Sequence, residues 1–425
     1  MMEASTEKYR SEAQKGIRNR VLQKALYNLQ VRFGRGTAEA YRKLPEGPEL
    51  RLEAHRMRAE AIDNLDILLE RLTENIRSRG GHVYFAEDAA AVNYCLDLAR
   101  TRHVRRVVKG KSMVTEEIGL NDALIAAGLD VAETDLGEFI IQLAGEHPSH
   151  IIAPAIHKTR NDIGRLFVKK LGIAYTDDPP TLTRAARKAL REKFLSAEMG
   201  ITGCNLACAE TGHITTLSNE GNIRMTTTLP DCRWCSWGWS GSRPGWKTTT
   251  PCSGCSPGER PLSICPVYGK IGGHAYGFTY SGPVGAVVTP LMVGPNRAAD
   301  LCRGETLCEA CRDACPVNID LPRMLLELRA MLAEGDRTWH VHPTSPLEKM
   351  FYGVWAFLVT HPRLYGLAQR AVCWGAKILP RRGDSIRKLP PRMDGWTVSR
   401  DFPEPAAESF RERWKRSVAG GKPIR

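Results

Sequence analysis

The run Cys308-Glu309-Ala310-Cys311-Arg312-Asp313-Ala314-Cys315-Pro316 reads C-x2-C-x3-C-P. These are the last three thiol positions of the run C-x2-C-x2-C-x3-C-P, whose cysteines hold iron–sulfur clusters. Close thiolates on a tight loop can take three corners of an iron–sulfur cube. The Cys-Pro ending stops a helix and sends the last thiolate elsewhere, typically to a second cluster. A second Cys-Pro lies upstream, at Cys265-Pro266. Two such endings point to a two-cluster electron-transfer module.

Composition supports a redox or metal reading. The chain has 425 residues and 13 cysteines, and those from Cys232 to Cys315 are crowded. A disulfide framework needs an oxidising compartment. The N-terminus MMEASTEKYRSEAQKGIRNR has no apolar core of a signal peptide, so a cytoplasmic protein with clustered thiols is expected. No apolar run reaches the ~18–20 residues of a membrane span. The net charge of +13 is spread along the chain, without a basic face interleaved with aromatics. Nucleic acid is therefore not an expected partner, whereas peripheral contact with an anionic membrane remains open.

The residue pattern divides the chain into regions. Residues 1–78 read as charged, amphipathic helices, with Ala54, Met57, Ala61, Leu65 and Leu68 near helical spacing. Over 79–230, short β-branched runs at His82–Ala86, Arg105–Val108, Asp130–Glu133 and Ile151–Pro154 alternate with helical segments. Those segments are Asp88–Arg100, Glu117–Ala127, Leu136–Leu143, Lys158–Leu171 and Thr181–Ser196. That alternation predicts an α/β fold with a parallel sheet. Ile201–Glu210, Ile214–Ser218 and Ile223–Leu229 read as further strands. Residues 231–262 break the pattern, with tryptophans among Ser, Gly, Pro and Thr and no period. Residues 263–333 carry the cysteine run. Residues 334–425 hold an apolar helical hairpin near Leu347–Leu379 and a polar, mobile tail.

Three stretches together carry a family resemblance. They are Lys111-Ser-Met-Val-Thr-Glu-Glu-Ile-Gly-Leu-Asn121, Glu133-Thr-Asp-Leu-Gly-Glu138, and Gly200-Ile-Thr-Gly-Cys-Asn-Leu-Ala-Cys-Ala-Glu-Thr-Gly212 with Asn219-Glu-Gly-Asn222. They resemble the LUD domain of the bacterial lactate-utilization protein B family. Cys265-Pro-Val-Tyr268, Gly272-Gly-His-Ala-Tyr-Gly277 and Ser281-Gly-Pro-Val-Gly-Ala-Val-Val-Thr-Pro290 resemble its ferredoxin part, and His361-Pro-Arg-Leu-Tyr365 its C-terminal region. The resemblance implies a sugar-isomerase/CoA-transferase-like sheet domain, then a small ferredoxin-like α-helical module and a helical tail. It also implies [4Fe–4S] clusters and a part in passing on electrons from lactate oxidised to pyruvate. Its partners would be a cysteine-rich iron–sulfur subunit and a second LUD protein. The chemical step is expected on another subunit, since this chain has no flavin or nicotinamide fingerprint.

The chain departs from that pattern around its first cluster. Counting back from Cys265, the run needs ligands at 261, 258 and 255, where Pro261, Gly258 and Cys255 stand. Only Cys255 has a thiol. In the second run the first position is Glu305, with Cys302 three residues upstream. In the crossed pattern of two-cluster ferredoxins, Cys265, Cys308 and Cys311 bind one cluster with Cys302, and Cys315 serves the other. Alternatively, Cys302, Cys308, Cys311 and Cys315 form a local set. One cluster is expected, and a second lacks ligands.

Three accounts of the middle stay open. Cys232-x2-Cys235-x16-Cys252-x2-Cys255 has the spacing of a zinc ribbon. Residues 236–259 also read as a frameshifted translation, because a neighbouring GC-rich frame can give an acidic, Leu-rich helix. A deletion would accompany it. The third account is a variant loop. Two further functions follow, a LUD-type scaffold whose iron–sulfur part does not assemble, or a zinc-binding interaction protein. Elsewhere, Cys95, Cys204, Cys208 and Cys373 read as packing thiols. Glu116, Glu117, Asp135, Glu138, Glu210 and Glu220 form a candidate pocket cluster at strand ends, with His157, His213 and His274 as polar contacts.

Overall fold

A computed structural model describes residues 5–420 except 45, 152, 219, 238–263, 344–345, 383–384, 391–396, 398–401 and 407. Cys252, Cys255, Gly258 and Pro261, and nearly all of the frameshift segment 236–259, lie outside the described residues. The chain divides into two units, Met1–Pro343 and Thr344–Arg425.

The first unit is α/β. Its main sheet has four parallel strands, β1 (Arg106–Lys109), β2 (Asp130–Glu133), β3 (Met199–Gly203) and β6 (Cys232–Ser236), in the order β2-β1-β3-β6. A separate antiparallel hairpin pairs β4 (Leu206–Cys208) with β5 (His213–Thr215). In β1, Val107 and Val108 are each 1% exposed and lie in different core clusters, Val107 with Leu120 and Leu124, Val108 with Phe167 and Phe194. Both faces of the sheet are therefore covered, as a parallel sheet requires. Between β1 and β3 the connections turn to opposite sides. In such open sheets ligands sit beyond the strands' carboxyl ends at that switch.

Several expected elements differ. His82–Ala86 forms no strand; Tyr84 stacks on Tyr94 with ring centroids 4.4 Å apart. The described residues of Ile151–Pro154 also form none, and Pro154 has no N–H to give a ladder. Glu117–Ala127 breaks into two helices, Met113–Glu117 and Leu120–Ala126, because Gly119 takes a left-handed φ of 65°. Ile201–Glu210 splits between β3 and β4.

Ile223–Leu229, expected as a strand, is the helix Asn222–Thr228. Its threonines bond back to the preceding turn: Thr226 Oγ1 donates to the Asn222 carbonyl and Thr227 Oγ1 to that of Ile223. The helix lies so close to β3 that a Cβ on Gly200 would fall 1.9 Å from the Thr226 carbonyl oxygen. Tertiary packing overrides the β preference of the Thr run. The segment 231–262, expected to be irregular, begins with a regular edge strand. In β6, Cys232 pairs with Met199 and Trp234 with Ile201.

Residues after 264 are helical, with helices Tyr268–Ile271, Gly282–Val293, Ala299–Gly304, Ala310–Ala314 and Leu321–Glu334. They build two cores. One gathers Cys265, Tyr268, Tyr276 and Leu301 with Tyr9 and Leu26, from the N-terminal helices Thr6–Arg18 and Arg20–Arg42. The other gathers Cys302, Cys311, Leu321, Leu325 and Leu328. In the second unit, helices Pro346–Thr360 and Pro362–Ala376 form the expected hairpin, broken at His361-Pro362. Met350, Phe351, Val354, Trp355 and Phe357 on its first helix are exposed. Among the described residues no helix is long and apolar enough to cross a membrane.

Candidate functional site

Cys265, Cys308 and Cys311 line one cleft, with Glu305 beside them and Pro266, Pro283, Pro322 and Leu325 as apolar wall. Two segments of chain far apart in sequence build it. Cys265 precedes the turn Tyr268–Ile271, and the Tyr268 backbone N–H donates to its sulfur at 3.4 Å. Leu307 and Glu309 take left-handed φ values of 56° and 63° around Cys308, folding the loop that leads to Cys311. Such values in non-glycine residues cost energy and persist only where surrounding contacts enforce them.

Glu305 is 7% exposed. Its carboxylate accepts from the Cys265 thiol at 3.3 Å and from the Tyr276 hydroxyl at 2.9 Å. Arg329 fixes the backbone behind it, donating to the carbonyls of Cys302 and Glu305. Burial raises the Glu305 carboxyl above its usual value and pushes the Cys311 thiol up to about 11. Burial, then the neighbouring Glu305, raises Cys265 further. Such thiols stay protonated until a cation displaces the proton.

The remaining candidate thiols lie elsewhere. Cys302 is fully buried, and its thiol donates to the Ala286 carbonyl at 3.4 Å within the apolar core. Cys315 is also fully buried and accepts from the Ile319 N–H at 3.3 Å. Neither lines the cleft. Cys232 and Cys235 stand three residues apart on β6, so they project to opposite faces of the sheet. That separates the first thiol pair of the zinc-ribbon spacing.

A second cluster sits past the carboxyl end of β1. Lys109 Nζ lies 2.7 Å from Glu133 Oε1, with side chains 1% and 6% exposed. Lys111 Nζ lies 3.0 Å from Glu138 Oε1. Lys111, Glu116, Glu138 and His150 line a second cleft. Of the six expected carboxylates, the structure brings Glu116 and Glu138 together here. Glu117 instead accepts from the Tyr280 hydroxyl at 2.8 Å. Asp135 caps the helix Leu136–Ala144, Glu220 accepts from the Leu136 N–H, and Glu210 pairs with Arg71 on the surface. His157 bonds Glu146, His274 meets the His147 carbonyl, and His213 is exposed. Sequence reasoning missed Lys109, Glu133 and His150. The signal for Lys109 was its place at the end of the apolar run Val107-Val108.

Burial, then the nearby Glu138, pushes the Glu116 carboxyl up to about 8 from 4.5. A carboxyl raised on folding binds more protons folded than unfolded, so its contribution favours folding at low pH. That contribution is lost as pH rises through about 8. Glu116→Gln should therefore flatten the fall in stability between pH 5 and about 8, read by urea unfolding. An unchanged slope would put the charge of Glu116 elsewhere.

The comparisons with known proteins agree with this architecture. The family model described as LUD domain matches residues 69–235, and that described as lactate utilisation protein B, C-terminal, matches 341–418. The chain is 34% identical to Lactate utilization protein B of Oceanobacillus iheyensis, over 97% of each chain. The chain belongs to the lactate utilization protein B family. It is also 34% identical to Lactate utilization protein B of Bacillus cereus and to Lactate utilization protein B 2 of Bacillus mycoides, over 99% of each chain. The Bacillus cereus alignment runs over 482 positions and this chain has 425 residues, so at least 57 positions have no counterpart here. No solved structure matches the chain significantly.

Proposed function

We propose that this chain is the electron-carrying iron–sulfur member of a lactate-utilization assembly, with a [4Fe–4S] cluster held by Cys265, Cys308 and Cys311. One observation carries the reading: thiols from two distant segments meet in one cleft in the crossed combination. The donor types suit the group, although among the described residues no three Cys, His, Asp or Glu side chains are gathered closely enough to hold a single metal ion. The three side chains are thiols, the wall is apolar, and a backbone N–H already donates to the Cys265 sulfur. When bound, such a cluster accepts and releases one electron at a time.

The chain's own residues do the rest. Pro266, Pro283, Pro322 and Leu325 give the cleft an apolar wall while Cys308 is exposed at its mouth, and such a wall would lower the local dielectric and tune the potential. Arg329 holds the backbone from Cys302 to Glu305 in place. The exposed apolar side chains of Pro346–Thr360 are where a companion subunit would sit, since contiguous exposed apolar surface marks interaction sites. Those companions would be a cysteine-rich iron–sulfur subunit and a second LUD protein, in the cytoplasm.

Iron and acid-labile sulfide analysis of anaerobically purified protein tests the reading. About 4 iron per chain is expected, because the first run lacks thiols at two of its positions. Close to 8 would restore two clusters. Absence of iron would leave a scaffold protein, and one zinc without iron would leave a zinc-binding protein; either sinks the electron-carrier reading.

A further inference from the structure

We propose that Glu305 supplies the fourth ligand of the cluster, through a carboxylate oxygen. The inference rests on the proposed cluster at Cys265, Cys308 and Cys311. Three observations lead to it.

The first is position. In C-x2-C-x2-C-x3-C-P the first ligand stands three residues before the second, and counting back from Cys308 gives 305. Glutamate is the residue at that position, and a carboxylate can bind iron whereas most side chains cannot. The second is placement. Glu305 lines the same cleft as the three thiols, is almost fully buried, and brings an oxygen to 3.3 Å from the Cys265 sulfur. That contact is the Cys265 thiol's hydrogen bond; once the thiol gives up its proton to bind iron, the buried oxygen loses its donor and is left as an acceptor beside the cleft. Tyr276 holds the other oxygen at 2.9 Å, and Arg329 pins the Glu305 carbonyl at 2.6 Å. One oxygen is anchored and the other is presented to the cleft.

The third is the exclusion of the alternative. Cys302 was the nearest spare thiol in sequence. It belongs to the core of Ala286, Val287 and Leu328, donates to the Ala286 carbonyl and stays out of the cleft. Its own carbonyl is bound by Arg329, at 2.7 Å and 2.9 Å, so turning it into the cleft would break that clamp as well.

A cluster with three thiolates and one carboxylate is asymmetric, because oxygen ligands hold iron less tightly than thiolates in a sulfide-rich site. The corner at Glu305 should be the labile one. The test compares the full-length chain with Glu305→Ala, Glu305→Gln, Glu305→Cys and Cys302→Ala, each reconstituted anaerobically with iron and sulfide. Iron content and electron paramagnetic resonance are read before and after mild ferricyanide oxidation, with circular dichroism confirming folding. Glu305→Ala and Glu305→Gln should fall to about 3 iron per chain and show the signal of a three-iron cluster. Glu305→Cys should keep about 4 and resist oxidation, and Cys302→Ala should match the unsubstituted chain. Retention of 4 iron and an unchanged spectrum in Glu305→Gln would overturn the inference and leave Glu305 a hydrogen-bonding neighbour. Loss of the fourth iron in Cys302→Ala alone would also overturn it. If the unsubstituted chain takes up no iron, the cluster itself fails, and the ligand assignment with it.

Discussion

On the proposed cluster, Cys311→Ser should leave the purified chain without a brown chromophore and take its iron from about 4 to below 1 per chain. Cys311 is buried at the inner end of the cleft loop and touches both the cleft and the apolar core. Serine there keeps the shape but replaces a soft sulfur donor with a poor one. Cys265→Ser should do the same from the other side of the cleft, although it lies more than forty residues away in sequence. Cys235→Ser is the control. Cys235 is exposed on the edge strand β6, on the face of the sheet opposite to Cys232, and its loss should leave colour and iron unchanged. Loss of colour in both Cys311→Ser and Cys235→Ser would mean that the middle of the chain supplies ligands. Absorption near 400 nm and iron content read the outcome together.

Lys109→Met should destabilise the first unit by about 3–5 kcal/mol, the usual cost of removing one partner of a buried ion pair. Lys109 is completely buried and its ammonium lies 2.7 Å from the Glu133 carboxylate. Without it Glu133 keeps the Asn121 amide as a side-chain donor, and a buried charge without a counter-charge is expensive. The ammonium itself is held above its usual pKa, because Glu133 and Glu116 outweigh the opposing effect of burial. Lys109→Met with Glu133→Leu should recover most of the loss, since a well-packed apolar pair substitutes for a buried ion pair at little cost. Urea unfolding of the two variants settles the matter. A single substitution costing less than about 1 kcal/mol would show that the pair contributes little. The pair is sealed from solvent, so it shapes the carboxyl end of β1. Lys111, two residues on, reaches the cleft itself.

The elements most legible in the sequence were those with strong local patterns. Asp130–Glu133 is a strand with the expected bounds, and Asp88–Thr101 is a helix with one more residue than the expected Asp88–Arg100. Both are amphipathic or apolar enough that burial and local preference agree. The failures share a cause. The Thr-rich run after Gly221 has strand preferences, yet it packs as a helix against Gly200 because only glycine allows that approach. Cys232–Ser236 was read as part of an irregular segment because an edge strand of five residues has too few alternations to stand out, and its partners on β3 lie thirty-three residues upstream.

The candidate site divides in the same way. Spacing singled out Cys308 and Cys311 as candidate ligands, because ligand spacing is set by the geometry of a short loop; the family resemblance added Cys265 in the crossed pattern, with Cys302, Cys308, Cys311 and Cys315 as the local alternative. Spacing did not choose between those two sets, since a thiol's direction is not written in its sequence neighbours. Packing supplies that direction for Cys302: Arg329 binds its carbonyl and the Ala286 carbonyl accepts its thiol, in an apolar core. The sequence by itself determined the family, the parallel α/β unit and the residue types able to hold a cluster. Only the tertiary structure decided which side chains share a cleft, because burial and hydrogen bonding to distant segments fix a side chain's direction. That is how a buried glutamate came to line the same cleft as three thiols.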